Sequence, residues 1–201
     1  MTERRLKGEQ KLQKKYNTRK SANSFYKTLM LNFLNPEMQK FISEQEMVFL
    51  STADAKGECD ASFRAGPKSF VKVLDNNTII FPEFKGNGVM ASMGNIIENP
   101  QIGLMFIDFF DSSIGLHVNG KAEIITERQA GKLVNPIDKA KAEKDGKHKT
   151  KLWIKVEVEE AFIHCSKHIP KLKKIEKVMH WGTDDEKLKG GDFFKTRVRK
   201  P

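Results

Sequence analysis

Residues 47–82, MVFLSTADAKGECDASFRAGPKSFVKVLDNNTIIFP, decide the fold class. MVFLSTAD and CDASFRAG flank the turn Ala55-Lys56-Gly57; Ser69 to Leu74 and Thr78 to Pro82 flank a second, Asp75-Asn76-Asn77. Two apolar runs around a short Gly- or Asn-bearing connection form a β-hairpin, because those residues accept the backbone angles of tight turns. Downstream, Gln101 to Phe109 and Gly115 to Thr126 read as longer strands. Trp153 to Ile163, WIKVEVEEAFI, has the clearest two-residue alternation in the chain. Several strands joined mostly by tight turns, with helices at the margins, predict a mainly β, α+β fold: an antiparallel barrel with helical additions.

Upstream, the chain is helical in character to about Ser51. Met38, Phe41, Ile42, Met47 and Phe49 fall at mixed helical spacings, and Asn35 is placed to cap a helix that Pro36 begins. Gly86 to Asn99, GNGVMASMGNIIEN, reads as a glycine-bearing loop and a short helix that Pro100 ends. With 201 residues and 38% apolar content the chain can bury one good-sized core. The expected division is a basic N-terminal helical arm over 1–36, a core domain over 37–170 and a tail over 171–201 that packs on the core or on a partner subunit. No apolar stretch approaches the roughly 20 residues of a membrane span, and MTERRLKGEQKLQKKY lacks the apolar centre of a secretory signal, so a cytoplasmic protein with no membrane partner is expected. Cys59 and Cys165 are too few for a disulfide framework, and His164-Cys165-Ser166-Lys167-His168 falls short of the roughly four ligands of a tetrahedral zinc site, so no metal is expected.

The balance of 36 Lys plus Arg against 26 Asp plus Glu gives a formal charge of +10, which favours anionic partners. Much of it lies in the first 27 residues and in Asp138 to Lys151, both read as solvated surface. Tyr16, Phe25 and Tyr26 interleave the basic arm and could stack on bases. No nucleic-acid-binding pattern accompanies them, and an arm wrapped on a partner subunit accounts for the same residues, so nucleic acid is not the expected partner.

Two segments carry the candidate chemistry, Ser62 to Val71 (SFRAGPKSFV) and Ile79 to Asn95 (IIFPEFKGNGVMASMGN). Arg64 at a strand end, a Gly-Pro turn with Lys68 and Ser69, and a second loop with Lys85 and Asn87 offer cations and backbone N–H donors to an anion such as a phosphate. Gly86, Gly88 and Gly94 lie near the start of the short helix, whose dipole also favours negative charge. Their spacing matches no nucleotide motif, and on the residues alone ordinary surface turns are the simpler reading. His117, in a strand, and His164 are candidates to line a substrate pocket, with a structural role as the alternative; Trp181 could cover a cofactor or simply pack. The loop Asp108 to Gly115 and the tail around Trp181 are the polar segments best placed to gate such a pocket.

The run ADAKGECDASFRAGPKSFVKVLDNNTIIFPEFKGNG, continued by MGNIIENPQIGLMFID and LHVNGKAEII, resembles the FMN-binding core of the family related to pyridoxamine 5′-phosphate oxidase. The likeness extends from about Gly8 to Phe194; GEQKLQKKYNTRKSA, AFIHCSKHIPKL and WGTDDEKLKGGDFF look like its flavin-nucleotide-binding branch. The resemblance implies a six-stranded antiparallel split β-barrel, a homodimer, and FMN held in the cleft between subunits. By position it implies that Arg64 contacts the phosphate or ribityl-phosphate, with Ala65 and Gly66 supplying backbone, and that Phe70 and Val71 lie under the isoalloxazine edge. Phe81, Pro82 and Glu83 would follow on the neighbouring strand, and Lys85, Asn87 and Asn95 would complete the cradle. The chain ends RVRKP and lacks the terminal Arg-X-His pair that holds the pyridoxal ring, which argues against oxidation of pyridoxamine phosphate itself. The implied function is FMN-dependent oxidoreduction with a small-molecule substrate or electron donor. The alternatives are a non-catalytic flavin-nucleotide-binding module and a haem- or deazaflavin-handling relative.

Overall fold

The computed structural model describes residues 7–84, 86–134, 152–180 and 185–196; Asp138 to Lys151, Lys85 and Trp181 lie outside the described residues. Three helices come first: α1 (Lys7–Lys15), α2 (Arg19–Thr28) and α3 (Pro36–Glu44). Asn35 caps α3 as its sequence predicts, its Oδ1 accepting from the Met38 amide at 2.9 Å, with Pro36 in the first turn. Met47 and Phe49 do not extend the helical region as the spacing suggested. They belong to β1 (Met47–Ala53), where strict alternation buries Val48, Leu50 and Thr52.

Strands β2 (Cys59–Ala65), β3 (Lys72–Asp75), β4 (Thr78–Glu83), β5 (Gln101–Ile107), β6 (Gly115–Thr126) and β7 (Leu152–His164) follow, with α4 (Ala91–Glu98) between β4 and β5 and α5 (Glu127–Leu133) after β6. Both hairpins form where the sequence places them. Asp54 Oδ1 accepts from the Lys56 and Glu58 amides in the first, and Gly57 takes φ +86°. Among the described residues all strand pairs are antiparallel, and seven strands join in one sheet of order β2-β1-β5-β6-β7-β4-β3, one strand more than the resemblance implies.

This sheet cannot be flat. Arg64 on β2 and Glu83 on β4 stand five strand spacings apart, about 24 Å across a flat sheet, yet their side chains meet at 2.9 Å. The sheet therefore curls until its margins approach, enclosing the core. Val48, Leu50, Ile79, Phe81, Leu104, Phe106, Val118, Ile154 and Val156 fill that interior. Leu34 and Ile42 from the α3 region and Met93 and Ile96 of α4 pack into it as well. Phe70 and Val71, in the connection from β2 to β3, complete it.

Candidate functional site

The strand β2 has inverted polarity. Register with β1 pairs Arg64 with Val48, Ser62 with Leu50 and Asp60 with Thr52, so its three polar side chains share the inner face with buried neighbours. Its outward face carries Phe63, 51% exposed. Polar groups on an inner face need partners, because desolvation without a hydrogen bond is costly. They find them along the seam where the sheet margins meet. Arg64 binds Glu83 through two parallel contacts, Nε to Oε2 at 2.9 Å and Nη2 to Oε1 at 3.0 Å, and donates from Nη1 to Ser62 Oγ and the Phe63 carbonyl. Ser92 Oγ donates to Asp60 Oδ2 at 2.9 Å, and Asn95 Nδ2 to Thr52 Oγ1 at 3.1 Å, which pins α4 beside β1 and β2.

These contacts orient α4. Its Glu98 end accepts from the Ala55 amide at the hairpin turn, and its Ser92 end sits at Asp60, so the helix N-terminus points along β2 toward Ser62 and Arg64. Met90, in the left-handed region at φ 57°, precedes the helix and gives it no side-chain cap. The first-turn amides of such a helix are donors with no partner within the helix, and its dipole favours an anion there. Asn87 tightens the approach, its Oδ1 accepting from the Val89 amide at 3.0 Å.

The sequence-derived residues thus separate into groups. Arg64, Glu83, Asn87 and Asn95 lie along the seam and its loop, and Ala65 ends β2 beside it. The side chains of Phe70, Val71 and Phe81 are buried in the core, and Pro82 is buried next to Phe81, which leaves only backbone atoms of the first three to meet a ligand. Gly66 serves packing: a Cβ there would lie 2.5 Å from Phe70 Cβ. The partners Asp60, Thr52 and Ser92 escaped the sequence reading. The signal was present in CDASFRA, whose alternate residues Asp60, Ser62 and Arg64 face inward once the hairpin register is known.

His117 and His164 meet on the outer face of the sheet, Nε2 to Nδ1 at 2.9 Å. His117 stacks on Phe162, its cross-strand partner, with ring centroids 4.7 Å apart and 16° between planes. Burial lowers the His117 pKa, and repulsion from His164 lowers it further. The loop Asp108 to Gly115, expected as a gating segment, is tied together by its first residue. The Asp108 carboxylate accepts from the amides of Phe110, Asp111 and Ser112 and from the Ser112 hydroxyl. Burial pushes that carboxyl up, but the Ser112, Phe110 and Asp111 bonds together outweigh it and hold it down at about 2. Among the described residues no group of three or more His, Cys, Asp or Glu is disposed to hold a metal ion, and no helix is long and apolar enough to cross a membrane.

Among solved structures, the chain resembles HupZ of Group A Streptococcus at 23% identity, with 65% of this chain and 99% of that one covered and a TM-score of 0.47. It also resembles HutZ, the haem storage protein of Vibrio cholerae (18% identity, 65% and 94% covered, TM-score 0.47), and an FMN-binding protein of Syntrophomonas wolfei (14%, 74% and 95%, 0.47). No curated protein sequence matches. The family model for pyridoxamine 5′-phosphate oxidase matches residues 34–165, roughly two-thirds of the chain, a span running from the start of the core through the seam to the end of β7. On that match the chain belongs to the pyridoxamine 5′-phosphate oxidase family.

Proposed function

We propose that the protein is a homodimeric FMN-binding flavoprotein of the split-barrel type, that the flavin phosphate is held at the seam, and that it serves FMN-dependent oxidoreduction of a small molecule. The observation that carries this reading is that β2 presents Arg64 on the same inner face as Asp60, where the uncapped N-terminal turn of α4 is held, in a chain that belongs to the pyridoxamine 5′-phosphate oxidase family. Arg64 and Glu83 neutralise each other, so the anion's attraction comes from the remaining guanidinium N–H and the first-turn amides of α4. Bound there, FMN would supply the hydride or electron chemistry, while the chain fixes its orientation and excludes water.

Titration of the apoprotein by flavin fluorescence tests the site. FMN is expected to bind far more tightly than riboflavin, and Arg64→Ala to weaken FMN by about 10- to 150-fold, or ~1.5–3 kcal/mol, while leaving riboflavin affinity unchanged. Equal affinity of the parent protein for the two flavins would remove the phosphate site. A second reading, haem handling, is favoured by one observation, the imidazole pair His117 and His164, since histidine is an axial haem ligand. The absorption spectrum of the purified protein separates the two, flavin bands against a Soret band.

A further inference from the structure

Past the short 3₁₀ turn Ser166–His168, the chain IPKLKKIEKVMH over 169–180 joins neither a helix nor the sheet. Two contacts set its path. The Leu172 amide donates to the Phe109 carbonyl at 2.7 Å, in the loop joining β5 and β6, and the Lys174 ammonium pairs with Glu46, just before β1. The segment therefore leaves the end of β7, crosses the ends of β6 and β5, and reaches the end of β1, following the sheet order toward the β2 margin.

Its apolar residues recur every third position: Ile169, Leu172, Ile175 and Val178. An extended chain turning once in three residues puts such a series on one side. That side loses contact with its own fold as it goes. Ile169 is half-buried, Leu172 is 49% exposed, Ile175 84% and Val178 75%. Lysines 171, 173, 174 and 177 occupy the other sides. An apolar stripe backed by cations is built to be covered, not to stand in water.

The outer face of the sheet offers the matching surface. Phe63, Phe49, Met105, His117 and Phe162 are successive cross-strand partners through β2, β1, β5, β6 and β7, and form one row. Phe25 of α2 covers the β7 end, edge-on to Phe162 at 5.5 Å. The β2 end is bare, with Phe63 51% exposed and in contact only with Phe49 among the aromatic rings described. The segment thus departs at the margin where the row is uncovered, without covering it.

We infer that residues 175–180 form an exchange arm: in a pair of copies, each lays Ile175 and Val178 on the uncovered Phe63–Phe49 end of the other's row. A second copy is the occupant because one chain carries both the bare stripe and the bare row, and a two-fold pairing satisfies both at once, each copy giving and receiving one arm. The inference rests on the homodimer reading above.

The test uses full-length chains with Cys59→Ser and Cys165→Ser, so that introduced thiols are the only ones. Copies carrying Val178→Cys are co-expressed with differently tagged copies carrying Phe63→Cys and treated with a mild disulfide-forming oxidant. A covalent heterodimer is the expected product. As a second measurement, Ile175→Asp with Val178→Asp should weaken dimerisation at least tenfold by sedimentation. If the parent sediments as a dimer but neither the cross-link nor the weakening appears, arm exchange is overturned and the dimer stands. A disulfide formed within a single chain carrying both cysteines, with no heterodimer from the mixed copies, shows the arm folded back and overturns it too. If the parent sediments as a monomer, the homodimer reading itself fails and takes the arm with it.

Discussion

A histidine in a strand can face either way, and His117 was legible in the sequence only as that choice. The structure resolves it through Phe162 and His164, partners 45 and 47 residues away that no local pattern announces. Arg64 was legible as a cation at a strand end, but its bond to Glu83 was not, because the two meet across a closure that neither hairpin encodes. The lowered His117 pKa has a consequence for stability. An imidazole that ionises less readily in the folded protein takes up a proton on unfolding. Its penalty is absent above the unfolded value near 6.5, grows as the pH falls below that, and stops growing once the pH has passed the depressed folded value. Urea midpoints measured at pH ~8 and ~5.5 should therefore fall on acidification, and His117→Gln should flatten that fall. An unchanged slope in the variant would show that other groups set the acid limb.

Elements were read more reliably than residues because alternation and turn chemistry are local. The hairpins, the Asn35 cap and the helix before Pro100 formed as predicted, while Ser69 to Val71 packed as a core connection and β3 began only at Lys72. The long pair β6 and β7 shows what periodicity conceals. Asn119 pairs with Glu160 but Gly120 with Val158, so Glu159 is an extra residue and the pair bulges there. The doubled Glu159-Glu160 in VEVEEAFI breaks the alternation and was the visible trace of that bulge. Gly120 permits the close approach: a Cβ would lie 2.0 Å from the Glu157 carbonyl oxygen, and backbone cannot give way as a flexible side chain can. Gly120→Ala should cost ~3 kcal/mol in denaturant unfolding. Gly94→Ala, in α4 with nothing within 4 Å of the added carbon, should instead stabilise by ~0.5–1 kcal/mol. Similar losses from both would mean that the bulge is not the constraint at Gly120.

At the scale of the molecule, an antiparallel barrel could be expected from the strands and their tight turns, but which strands meet where the sheet curls could not be read, because that depends on strand order and on twist accumulated over the whole sheet. The Arg64–Glu83 pair holds that closure at one point, with side chains only 15% and 16% exposed. A pair so placed gains little over an apolar replacement of similar size, but removing one partner strands the other charge where water reaches it poorly. Glu83→Gln should therefore destabilise the protein by ~2 kcal/mol. Arg64→Met together with Glu83→Leu should recover most of that loss, since both charges go at once. Amide hydrogen exchange locates the effect. If the pair latches the sheet margins, Glu83→Gln should accelerate exchange along β2 and β3, the two edge strands, and leave β5 and β6 at the centre protected. Uniform acceleration across all seven strands would instead mean that the loss acts through global unfolding, and that the margins are held by Phe70, Val71 and α4 rather than by the ion pair.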